Sequence, residues 1–216
     1  MKEKITAISI AITTLVVFKL WLLIKDIKTE YYMIHVIIAC LSSWGTYKTV
    51  FFIVSTFTAK ISCLKKWIFG RQYIDGIWIG AYIGILGEPR IYYTIYTQDY
   101  DSVKIKGRSF LLDKTVHTTW TDTSFNYSTD DKIFYTYSVQ TLTETSCPVG
   151  YAQFNMSFDK KNKFAIELNG YSFDLLHKKQ IPAKEIKITG KFDEDKILEK
   201  AIDFYNKSKE FFNKFK

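Results

Sequence analysis

Ser102-Val-Lys-Ile-Lys-Gly-Arg-Ser-Phe-Leu-Leu112 is the stretch whose reading decides the fold. Val103, Ile105, Gly107, Ser109 and Leu111 fall on one side of an extended chain, and Lys104, Lys106, Arg108, Phe110 and Leu112 on the other. Successive side chains of a strand point to opposite faces, so the stretch reads as a strand with two unlike faces. The same period of two runs outward from it. It predicts strands over Asp75–Ile85, Pro89–Gln98, Ser102–Leu112, Thr118–Phe125, Lys132–Leu142, Val149–Phe158, Lys163–Leu175 and Ala183–Gly190. Short joints of turn-forming residues separate most of them: Leu86-Gly87-Glu88, Asp99-Tyr100-Asp101, Ser128–Asp131 and Asp159–Asn162. Eight hairpin-linked strands predict an antiparallel up-and-down β-barrel, because closure removes exposed strand edges; a sandwich is the alternative. Such a barrel has room for its own side chains or for one small ligand. Gly76, Trp78, Gly80 and Tyr82 share a face of the first strand, where glycine between aromatics permits strong coiling and close backbone approach.

Upstream the pattern differs. Ile5 to Ile24 is one apolar run, and roughly Tyr31 to Ala59 is a second, longer and more polar one. A helix needs about 20 predominantly apolar residues to cross a hydrocarbon core. The expectation is a transmembrane hairpin over residues 1–60, with helices about 5–24 and 31–58, and a juxtamembrane linker over 61–72. The first run ends in Lys25-Asp26-Ile27-Lys28 without a small-residue cleavage site, so it does not read as a signal peptide. Lys19 and Trp21 suit interface depth. Ala39, Ser42, Ser43 and Gly45 allow close helix approach in lipid, within the hairpin or between copies. Lys48 either faces a bundle interior or marks where the helix leaves the bilayer. Lys2, Lys4, Lys60, Lys65, Lys66 and Arg71 flank the run pair, against Lys25 and Lys28 in the connection. The positive-inside rule then puts both termini in the cytoplasm and makes the chain a multi-pass membrane protein.

Downstream, residues 73–190 form the expected barrel and 191–216 an amphipathic helix. Asp193 suits its N-cap, Glu194 and Asp195 its first turn, and Leu198, Ile202, Tyr205 and Phe212 recur at helical spacing. The helix either packs on the barrel or lies on the bilayer.

The net charge is +8, with six Lys against three acids before residue 60 and the rest of the excess after it. This favours a phosphate-bearing ligand or anionic head groups, and equally reflects a Lys-rich composition. Cys40, Cys63 and Cys147 are odd in number and irregularly spaced, which argues against a disulfide scaffold. The histidines are His35, His117 and His177, and no HExxH, CxxC, Walker A, GxGxxG or GxSxG pattern occurs. No catalytic residue, metal site or cofactor is expected, and the chain does not read as an enzyme. Binding is the better-supported class. Tyr92, Tyr93, Tyr96, Trp120, Tyr135 and Tyr137 suit base stacking. Gln98, Lys106 and Arg108 suit phosphates or base edges. With Trp78 and Tyr82 from the first strand, the candidate ligand-binding set is Trp78, Tyr82, Tyr96, Gln98, Lys106, Arg108, Trp120, Tyr135 and Tyr137. Each residue has a plain structural use as well: tyrosines build barrel walls, and lysines a solvated face. A membrane-tethered, lipocalin-like carrier of a small apolar ligand is the alternative, and a membrane-anchored enzyme a third.

The order of these features resembles a known family. Ile74-Asp-Gly-Ile-Trp78-Ile-Gly80-Ala-Tyr82, Gln98-Asp-Tyr-Asp-Ser-Val-Lys-Ile-Lys-Gly107-Arg-Ser109, Trp120, Tyr135-Thr-Tyr137 and Leu168-Asn-Gly-Tyr-Ser-Phe-Asp174 follow two N-terminal apolar helices. The arrangement, over residues 1–190, is similar to the CD-NTase-associated protein 15 family, the STING-like transmembrane β-barrel effectors of bacterial CBASS antiphage systems. The resemblance implies a cytoplasmic barrel that binds a cyclic di- or trinucleotide made by a partner CD-NTase cyclase upon infection. Binding would promote homo-oligomerisation and disruption of the inner membrane, killing the cell as abortive infection. It implies no nucleic acid polymer as partner. The tail after Gly190 lies outside it.

Overall fold

The structure is a computed structural model that describes residues 2–24, 32–84, 87–99, 101–128, 130–141, 149–159, 164–175 and 178–213. The expected Lys25–Glu30 connection, Cys147, His177, and parts of the joints at Leu86, Tyr100, Thr129 and 160–162 lie outside the described residues. The chain forms two compact units, a helical one over Met1–Phe69 (with Asp99–Asp101) and a β unit over the rest from Gly70.

The helical unit holds α1 (Lys2–Ile24), α2 (Tyr32–Lys60) and α3 (Ser62–Phe69). Among the described residues one helix is long and apolar enough to cross a membrane, over Glu3–Leu22 of α1. Hydroxyls that would be costly in lipid are returned to the helix's own backbone. Thr13 Oγ1 donates to the Ser9 carbonyl at 2.7 Å, and Ser43 Oγ and Thr49 Oγ1 donate to the carbonyls of Ala39 and Gly45. α1 and α2 pack together. Ile5, Ser9 and Thr13 form a buried stripe on α1, and Ser55 and Thr58 are buried on α2. Leu15, Phe18, Trp21, Trp44 and Phe52 stay more than half exposed.

The β unit is a closed barrel in which every strand pairs antiparallel with its sequence neighbours and the last pairs with the first. The strands are β1 (Gly76–Ile83), β2 (Pro89–Gln98), β3 (Val103–Phe110), β4 (Val116–Tyr127), β5 (Lys132–Thr141), β6 (Val149–Phe158), β7 (Ala165–Asp174) and β8 (Lys179–Ile188). The up-and-down topology is as the alternation predicts. β8 begins four residues before the expected Ala183 and includes Pro182. Pro182 pairs with Tyr171 of β7 and stands beyond the last β1 partner, Ala183. β8 is therefore an edge there, where a missing N–H is tolerated. β4 is longer than expected and bulges between Asp122 and Ser124. Asp122 Oδ1 accepts from the Ile105 N–H at 2.7 Å.

Two apolar clusters lie on opposite sides of the barrel wall. The inner one includes Trp78, Tyr96, Ile105, Ile133, Tyr135, Phe154 and Leu168. Burying each such side chain stabilises by about 1.5–3 kcal/mol. Inner aromatics fit because glycines face them across the ladder. A Cβ on Gly80 would overlap the Tyr92 ring, one on Gly107 the Trp120 indole, and one on Gly150 the Tyr137 phenol. The outer cluster joins Ile79, Ala81, Ile91, Tyr93 and Phe110 to α4 (Glu194–Lys207), through Ile197, Leu198, Ala201, Phe204 and Tyr205. α4 is capped by Asp193, whose carboxylate accepts from the Lys196 N–H, and packs on β1 and β2. Of the two expected placements of this helix, the barrel is the one observed. Ser208 interrupts it before a last turn, α5 (Lys209–Asn213).

Candidate functional site

The barrel's two ends differ in chemistry. At the end where β2 finishes and β3 starts, the chain closes the barrel with its own backbone. Ile74 is fully buried among the inner residues, and Tyr73 nearly so. Gln98 secures this segment. Its Nε2 donates to the Gln72 carbonyl at 2.8 Å and to the Tyr127 hydroxyl at 2.9 Å, while its Oε1 accepts from the Ile74 N–H at 3.0 Å. Its backbone N–H donates to Asp75 Oδ1 at 2.7 Å. The Tyr127 hydroxyl donates to the Gln72 carbonyl, and the Trp78 indole N–H to the Ile74 carbonyl at 2.8 Å. Lys187, opposite Trp78 in register, lies 4.1 Å over the Tyr73 ring. Arg71 pairs with Asp131 and stacks on Phe158.

Midway along the interior sits Glu185, only 1% exposed. Its carboxyl oxygens accept from the Tyr92 and Tyr96 hydroxyls, both at 3.1 Å. Burial raises its pKa to about 7, and the hydrogen bonds from Tyr96 and Tyr92 limit the rise. Tyr92, Tyr96 and Tyr135 are pushed well above 10, by burial first and by the Glu185 charge second. Tyr96 packs edge-on against Trp78 with centroids 5.8 Å apart, so this cluster rests directly on the closed end.

At the opposite, far end Tyr82, Trp120 and Tyr137 are partly buried, over a buried layer of Tyr92, Ser109 and Thr118. Tyr82 lies tilted against Tyr92 with centroids 5.7 Å apart, and Tyr92 meets Trp120 edge-on at 5.6 Å. The Ser109 and Thr118 hydroxyls share a hydrogen bond of 2.7 Å. Arg90, opposite Tyr82 in register, pairs with Glu88 at 2.9 Å. Burial raises Tyr137 to about 12, with the Ser172 hydroxyl opposing the rise and Asp174 adding to it.

Of the nine residues nominated from sequence, seven face inward but at different levels. Trp78 and Gln98 belong to the closed end, Tyr96 and Tyr135 to the middle, and Tyr82, Trp120 and Tyr137 to the far end. Lys106 and Arg108 are not brought to them. Lys106 is exposed on the outer face, and Arg108 Nη1 pairs with Glu194 of α4 at 3.0 Å. Glu194 also accepts from Tyr93 at 2.8 Å, and with burial this raises that phenol to about 12. The reason is register: both basic residues alternate with Val103, Ile105, Gly107 and Ser109, which take the inner face. Sequence reasoning missed Arg90 and Glu185. The available signal was parity, because Arg90 lies two residues before Tyr92, and Glu185 two after Ala183.

The site can bind and orient through rings, hydroxyls and one guanidinium. Among the described residues no group of three His, Cys, Asp or Glu could hold a metal ion. No protein-family model matches the chain, and the curated proteins contain no match to it.

Proposed function

We propose that this chain is a membrane-anchored receptor whose barrel binds a cyclic di- or trinucleotide, and that it acts as the killing effector of a CBASS antiphage system. The observation that carries this reading is a closed barrel, sealed at one end by its own chain and lined toward the other by the partly buried rings of Tyr82, Trp120 and Tyr137, the Ser109 and Thr118 hydroxyls and Arg90. Flat bases stack on such rings, and a guanidinium matches a phosphate with two parallel hydrogen bonds. The spanning helix in α1 supplies the anchor. In this reading α2, 29 residues long, returns through the bilayer, so that both termini lie in the cytoplasm. Confinement to two dimensions raises the effective concentration of barrels. A ligand that binds the assembled state better than the monomer then drives homo-oligomerisation, and the gathered helices breach the inner membrane. The partner that supplies the ligand is a CD-NTase cyclase. An interior filled by aromatics around a buried carboxyl is poorly suited to an apolar cargo, which sets the lipocalin-like alternative behind this one.

The test is calorimetry on the full chain in phosphatidylcholine nanodiscs with a panel of cyclic di- and trinucleotides. One member is expected to bind saturably, and to increase oligomer size in parallel light-scattering measurements on detergent-solubilised chain. Absence of heat with every member overturns the reading.

A further inference from the structure

We propose that Arg90 at the far end of the barrel is a phosphodiester-binding subsite, held in reserve by a displaceable internal counter-ion, Glu88. The soluble source of that phosphodiester rests on the reading above.

The two partners of this pair sit in unlike surroundings. The Arg90 side chain is 12% exposed, whereas the Glu88 side chain is 56% exposed. A carboxylate largely in water contributes little to such a pair, because water and salt screen it. The guanidinium is the opposite case. It is partly desolvated, and its fixed fork of donors gains most from an acceptor with two oxygens side by side. A phosphodiester arriving at the barrel's end offers those two oxygens and one negative charge. It can replace Glu88 without leaving Arg90 uncompensated.

The backbone around Glu88 is arranged so that only its side chain has to move. The Gly84 N–H donates to the Glu88 carbonyl at 2.8 Å, and the Gly87 N–H to the Gly84 carbonyl at 2.9 Å. Gly87 has φ +84°, which glycine adopts without strain. Gly84, Gly87 and Glu88 are thereby held by backbone hydrogen bonds, so release of Arg90 needs a rotation of the 56%-exposed Glu88 side chain alone. Tyr82 lies opposite Arg90, with the Ser109–Thr118 hydroxyl pair close to its phenol, so neutral donors stand next to the cation on the same inner face.

The experiment titrates the full chain in phosphatidylcholine nanodiscs. One arm uses cyclic di-GMP, cyclic di-AMP and cyclic GMP–AMP. The other uses glycerophosphoglycerol, the headgroup of phosphatidylglycerol. Arg90→Ala is expected to weaken binding by about tenfold or more, and Arg90→Lys by less, since a point charge replaces a fork. Glu88→Gln is expected to tighten binding several-fold by removing the competitor, while Lys200→Ala on the exposed face of α4 leaves it unchanged. Equal affinity of wild type, Arg90→Ala and Glu88→Gln for a bound cyclic dinucleotide overturns the subsite and leaves the receptor reading standing. Arg90-dependent binding of the headgroup alone supports the subsite with a lipid source and overturns the receptor reading. Absence of heat in both arms overturns both. If Arg90→Ala does not fold, Glu88→Gln decides: unchanged affinity overturns the subsite.

Discussion

Glu185 is a carboxyl held inside a barrel by two phenols, and its ionisation works against folding. Its pKa rises from 4.5 to about 7 on burial. A raised folded-state value means that the native protein holds the proton over a range where the unfolded chain has lost it. The contribution is therefore fully present below about pH 4.5 and lost as pH rises through about 7. Its size is on the order of 3 kcal/mol, at about 1.4 kcal/mol per pKa unit. Thermal melts of the full chain in detergent between pH 5 and 8 are expected to show wild type losing midpoint temperature with rising pH. Glu185→Gln should flatten that slope; equal slopes would remove Glu185 as the cause. Gly107 tests the packing that surrounds this carboxyl. Gly107→Ala places a methyl in the Trp120 indole and is expected to cost about 2 kcal/mol by overpacking. Partial restoration by Trp120→Leu in the same chain would show that the cost is steric. Parity along each strand was legible in the sequence, and so was the set of ring-bearing positions. Which parity faces inward was not, because Lys106 and Arg108 read equally well as ligand contacts or as a solvated face.

The elements that close and brace the barrel carry two further expectations. Gln98 holds the segment before β1 with both ends of its amide. Gln98→Leu strands the buried Ile74 N–H, a loss of about 1–3 kcal/mol for one unsatisfied group, while Tyr127 still donates to the Gln72 carbonyl. Hydrogen exchange should accelerate at Ile74 and at Gln98 itself before it does at mid-strand amides. Uniform acceleration would mean that the segment is not a separate brace. On the outer wall, Arg108 joins β3 to the first turn of α4 through Glu194. Both partners are about 40% exposed, so Arg108→Ala is expected to cost at most about 1 kcal/mol and to leave affinity for any barrel ligand unchanged. Phe204→Ala, which empties a buried position between α4 and the barrel, should cost about 3 kcal/mol in the same melts.

For the molecule as a whole, the division into an apolar helical unit and a closed barrel limits what binding can accomplish. On the proposed reading a ligand at the far end would meet the layer of Tyr82 and Trp120; both rings pack on Tyr92, which shares Glu185 with Tyr96. Tyr96 packs on Trp78, which holds the Ile74 carbonyl. The barrel interior is thus one continuous packed column, from the layer of Tyr82 and Trp120 to the segment before β1. If that column transmits binding, a saturating cyclic nucleotide should slow exchange at Ile74 as well as at the far end. Protection confined to the far end would separate ligand binding from any change at the closed one.

The class of the fold and its boundaries follow from periodicity, which is a local property. An apolar run of spanning length, eight alternating stretches and a capped amphipathic tail each declare themselves within a dozen or so residues. Closure sets the rest. Joining β8 to β1 assigns each parity to the inside or the outside. It buries Glu185 between phenols whose partners lie 89 and 93 residues away, commits Gln98 and Trp78 to the chain's own backbone, and turns Lys106 and Arg108 outward. Those assignments depend on contacts across long sequence separations, and alternation alone has the same period whichever face points in.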